Sequence, residues 1–67
     1  MNIAYNESLD ILTLTLSRKR IVTSDEIEPG IIVDYGAKHA IVSIEILDAS
    51  TRVDDPASVS LRLATAA

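Results

Sequence analysis

The chain has 67 residues, ten acidic and six basic, for a formal net charge of -4. That length supports one domain at most, and a domain of about 60 residues buries only about 60% of its unfolded surface. Hydrophobic residues make up 48%, which excludes a disordered chain, while the lack of Cys excludes disulfides, thiolate metal centres and cysteine nucleophiles.

Residues 2–5 (NIAY) form a short apolar segment, and Asn6-Glu7-Ser8 follows as a turn. In residues 10–16 (DILTLTL), Leu12, Leu14 and Leu16 alternate with Thr13 and Thr15, the period of a half-buried strand. Residues 17–20 (SRKR) are a charged connection, and residues 21–23 read as a short strand. Ser24 is a candidate N-cap for one acidic helical turn that Pro29 would stop, and Pro29-Gly30 signals a turn. Residues 31–35 (IIVDY) and 40–47 (AIVSIEIL) read as strands joined by a turn over 36–39. The short connections call for antiparallel pairing.

Beyond Leu47 the composition changes. Residues 48–53 suit one helical turn, and Asp55-Pro56 reads as a helix start with Asp55 as cap. Residues 57–66 favour helix, although Val59, Leu61 and Leu63 also alternate as a strand would. The expected class is α+β: a small antiparallel β-meander of about four strands over 3–47, with a short C-terminal helix in 48–67, all one domain.

The most suggestive chemistry is carboxylate. Asp34 and Glu45 fall near the middles of consecutive strands, and antiparallel pairing brings them together, with Thr13 or Thr15 on the same face. Two such groups can divide acid and base roles or hold a hard cation; the plainer reading is a solvated sheet face. Asp10 and Tyr35 complete the candidate ligand-binding set of Asp10, Asp34, Tyr35 and Glu45. His39, the only histidine, sits in a turn, and Arg18-Lys19-Arg20 is the only basic cluster. No serine lies in a Gly-x-Ser-x-Gly setting, and two glycines cannot build a phosphate loop. No catalytic residue, metal centre or cofactor is therefore assigned.

Tyr5-Asn6, Asp10, the alternating leucines, Ile32-Val33-Asp34-Tyr35 and Ile44-Glu45-Ile46-Leu47-Asp48-Ala49-Ser50 together carry a family pattern. Over about residues 3–52 the chain resembles the small prokaryotic family catalogued as domain of unknown function twenty-two eighty-three. Asn6 stands where that pattern has Asp, His39 where it has a hairpin glycine, and Ser43 where it has a glycine. Gly36 is expected to take over the left-handed turn position. The resemblance implies a β-meander with a helical piece and no known activity; some relatives look like antitoxins.

The reading leans away from an enzyme. So short a chain without disulfides needs association for stability, so a homo-oligomer is expected. Its acidity suits a basic protein partner and argues against nucleic acid and anionic membrane. The absence of cysteine and of a leader-like start suggests the cytoplasm.

Overall fold

A computed structural model describes residues 1–59. The five strands are β1 (Asn2–Asn6), β2 (Ile11–Thr15), β3 (Thr23–Glu28), β4 (Ile31–Tyr35) and β5 (Ile41–Leu47). They form one antiparallel sheet in the order β1-β2-β5-β4-β3. Hairpins join β1 to β2, β3 to β4 and β4 to β5, and β5 lies between β2 and β4. A single helical turn, α1 (Ala49–Arg52), follows β5, and a 3-10 turn spans Pro56–Ser58.

The acidic segment corrects the sequence expectation. Thr23–Glu28 is a strand, not a helical turn capped by Ser24, so there are five strands rather than four. Pairing with β4 supplies the backbone hydrogen bonds that its weak strand propensity would not command alone. Asp55 also makes no side-chain cap bond, although Pro56 does open its short turn. Most of the helix expected over 57–66 lies outside the described residues.

Register sorts the side chains onto two faces. Leu12, Leu14, Ile44, Ile46, Ile31 and Val33 share one, joined by Ile3 and Tyr5 from β1. Thr13, Thr15, Ser43, Glu45, Ile32, Asp34 and Ser24 share the other. The core is small. Leu12, Val33, Val42 and Ala49 are the buried apolar residues among those described, and Leu12 is the most enclosed large one at 1% exposure.

The turns explain several residue choices. Gly30 follows Pro29 with φ 83, the positive value a type II turn requires at its third position. Gly36 has a different role. Its φ is -91, and a Cβ there would come within 3.1 Å of the Arg20 carbonyl oxygen and 3.2 Å of Val42 Cγ2. The left-handed positions of this turn are Lys38 (φ 59) and His39 (φ 60), so His39 itself adopts the conformation that Gly36 was expected to supply.

Candidate functional site

The middle of the polar face holds a carboxylate cluster. Asp34 on β4 has Ser43 of β5 and Ser24 of β3 as its two cross-strand partners. Ser24 Oγ donates to Asp34 Oδ1 at 2.5 Å, and Ser43 Oγ donates to Oδ2 at 2.6 Å. Glu45 lies diagonal to Asp34, with its own partners Ile32 and Thr13 on either side. Asp34 is 3% exposed, whereas Glu45 is half-buried.

The two acids are pushed apart in acidity. Burial raises the Asp34 carboxyl, but hydrogen bonds from Ser24, Ser43 and Glu45 outweigh it and leave it below the usual range. Glu45 moves up, chiefly through its hydrogen bond to Asp34, then through burial and the nearby negative charge. Asp34 is thus the stronger acid of the two and Glu45 the weaker.

What surrounds the pair restricts its use. Both Asp34 oxygens already accept serine hydroxyls. The described residues form no cleft above it. Nor do they bring together three His, Cys, Asp or Glu side chains in a metal-holding arrangement. The geometry serves first to hold β3, β4 and β5 in register at their shared polar face.

Asp10 belongs to a second cluster, separate from the first. It turns the chain between β1 and β2 with φ 55, a conformation that Asp tolerates better than most residues. Its Oδ1 accepts the Tyr5 hydroxyl at 2.6 Å and the Ser50 backbone N–H at 2.9 Å, and Oδ2 accepts Ser50 Oγ at 2.6 Å. The Asp10 carbonyl also accepts the Ala49 N–H at 3.0 Å. Asp10 therefore caps α1 from 40 residues away in sequence. The Ser50 hydroxyl, then Tyr5, hold its carboxyl below the usual range despite some burial. The Tyr5 hydroxyl in turn is pushed up to about 12, first by this hydrogen bond. On the other side of α1, Arg52 donates to the Pro29 carbonyl, so α1 bridges the β1–β2 and β3–β4 turns.

Of the four residues singled out in the sequence, the structure brings together Asp34 and Glu45 alone. Asp10 sits in the clasp with Tyr5 and Ser50, and Tyr35 meets His39 edge-to-face with ring centroids 6.0 Å apart. Ser24, Ser43 and Ser50 were missed as carboxylate partners. Ser43 was legible as a face-mate of Glu45; the other two depend on strand order and on a contact remote in sequence. Asn6 Oδ1 accepts the Leu9 N–H at 3.1 Å, and Ser43 supplies a hydroxyl donor to Asp34.

None of the described helices is long and apolar enough to cross a membrane. No curated relative and no solved structure matches the chain. Residues 2–50 match the family described as Protein of unknown function (DUF2283), and the stretch takes in both carboxylate clusters with all five strands, so the chain belongs to that family.

Proposed function

We propose that the protein is a non-catalytic interaction module that acts in the cytoplasm as a homo-oligomer. The observation that carries this reading is the thinness of its core. Four apolar residues are buried among those described, while Leu9, Leu16, Ile21, Val22, Ile27 and Ile41 are exposed. Fully burying one such side chain contributes roughly 1.5–3 kcal/mol, so covering several by association is a large gain for a domain of this size. Asp34 and Asp10 fit a structural role because both oxygens of each accept the protein's own donors.

Light scattering coupled to size exclusion, run from micromolar upward, tests the reading. The expected result is a mass above one chain, with a thermal midpoint that rises with concentration. A fully stable monomer over that whole range rejects it. A basic protein partner, the antitoxin-like form of this reading, rests on the net charge of -4 alone. Its test is co-purification that weakens with salt.

A further inference from the structure

The sheet has two outer strands, β1 and β3, each paired on one side only among the described residues. They are guarded differently. β3 carries Asp25, Glu26 and Glu28 and is bulged between Glu26 and Glu28, and both features oppose the addition of a further strand. β1 (Asn2–Asn6) has no charge and no proline, and its register with β2 runs without a shift. It is a regular, unguarded edge.

The ladder fixes which backbone groups this edge offers. The Leu16 N–H donates to the Val42 carbonyl at 2.8 Å, and the Asp10 carbonyl accepts the Ala49 N–H at 3.0 Å. The even-numbered residues of β2 therefore face β5, and its odd-numbered residues face β1. Thr15, Thr13 and Ile11 pair with Asn2, Ala4 and Asn6, so those three turn their backbone groups inward. The N–H and C=O of Ile3 and Tyr5 then point away from the sheet. The strand is held in place while it offers them, because the Tyr5 hydroxyl is tied to Asp10 at 2.6 Å.

The sequence of this edge also matches itself. Read outward from Ala4, Ile3 answers Tyr5 and Asn2 answers Asn6. In an antiparallel pairing with a two-fold axis at Ala4, Ile3 of each copy meets Tyr5 of the other. Each such pair exchanges two backbone hydrogen bonds, using the groups left pointing outward. Ile3 and Tyr5 lie on the apolar face, where a β-branched residue opposite an aromatic is a favourable cross-strand pair. On the other face Asn2 meets Asn6 and Ala4 meets Ala4, all of them exposed in the single chain.

We infer that two copies join antiparallel along β1, about a two-fold axis at Ala4, to make one continuous ten-stranded sheet. This rests on the self-association proposed above and names its surface. The interface is isologous, the same patch on both chains, and closes at two copies. The occupant is a second copy because the two-fold match lies within one strand. That strand also lets two chains of net charge -4 meet where neither carries a charge. A five-residue edge is a small interface, so the dimer is a weak one.

The axis position tests the inference. Ala4 is exposed, so Ala4→Lys and Ala4→Glu add a charge outside the core and set like charges face to face across the axis. Each alone should dimerise at least about fivefold more weakly than the original chain. Mixed, they should recover association as a heterodimer, because the facing charges are then opposite. Two further measurements avoid dependence on how those variants fold. Ala4→Cys, in a chain with no cysteine of its own, sets two thiols at a non-hydrogen-bonded pair, with Cα atoms about 4.5 Å apart and within reach of a disulfide. It should oxidise to a covalent dimer faster than Asn2→Cys, which lies off the axis, and faster than Asp25→Cys on β3. Dimerisation of the unaltered chain should hold or strengthen between about 50 and 500 mM salt, since no ion pair carries it and salt screens the net charge.

Undiminished dimerisation of both charge variants, crosslinking at position 2 or 25 as fast as at position 4, or association lost with salt overturns this interface while leaving self-association standing. An unaltered chain that stays monomeric at all concentrations overturns self-association itself.

Discussion

Replacing Glu45 by Gln should stabilise the protein at neutral pH. Glu45 has a carboxyl raised above its ordinary value near 4.5, chiefly by hydrogen bonding to Asp34. A raised acid contributes stability below its unfolded value and loses it as pH climbs through the raised folded value. Asp34 has the opposite sign. Its lowered carboxyl contributes above its ordinary 3.8 and loses that contribution as pH falls. Above the Glu45 transition, two negative charges share one sheet face. Like-charged cross-strand neighbours cost roughly 0.2–1 kcal/mol. Burial of Asp34 argues for the upper half of that range, and the half-exposed position of Glu45 admits screening water that argues against exceeding it. Gln keeps an N–H donor towards Asp34 and removes the charge. A gain of about 0.5–1 kcal/mol corresponds to a rise of about 2–8 °C in Tm for a domain of this size. Thermal melts followed by circular dichroism from pH 4 to 8 provide the assay. The original chain should lose Tm with rising pH relative to the variant, and the two should converge near pH 4. Parallel curves, or a variant less stable at pH 7, would refute the reasoning.

Three further perturbations probe other parts of the fold. Leu12→Ala removes the most enclosed large side chain and should cost about 3 kcal/mol, most of what so small a domain holds, so urea melts should find it largely unfolded at 37 °C. Asp10→Asn in a Tyr35→Phe background should bring the Tyr5 hydroxyl from about 12 back towards 10, read by ultraviolet phenolate titration; an unmoved transition would deny the clasp. His39→Gly should add about 0.5–1 kcal/mol, because relief of a left-handed side-chain residue exceeds the entropy lost by glycine, and a lower Tm would show that the Tyr35 ring contact matters more.

How much of this was legible in the sequence depended on range. The Leu–Thr alternation of β2 and the apolar runs of β4 and β5 announce themselves, since each strand's own pattern matches its two faces. β3 was misread because Ser24-Asp25-Glu26 favours local capping, and only its neighbour β4 imposes the extended form. Pairing of Asp34 with Glu45 followed from a hairpin, a local inference. Ser24 reached Asp34 only once β3 was a strand. The Asp10–Ser50 contact spans 40 residues and follows from β2 lying beside β5, which no local pattern encodes.

Strand order also has a consequence for assembly during synthesis. β1 with β2, and β3 with β4, are each complete hairpins early in the chain, yet β5 stands between them in the sheet. β5 is the keystone, and it is made last of the five. A growing chain therefore holds two unjoined halves until the final strand wedges between them, and slow-exchanging amides should concentrate in Ile41–Leu47.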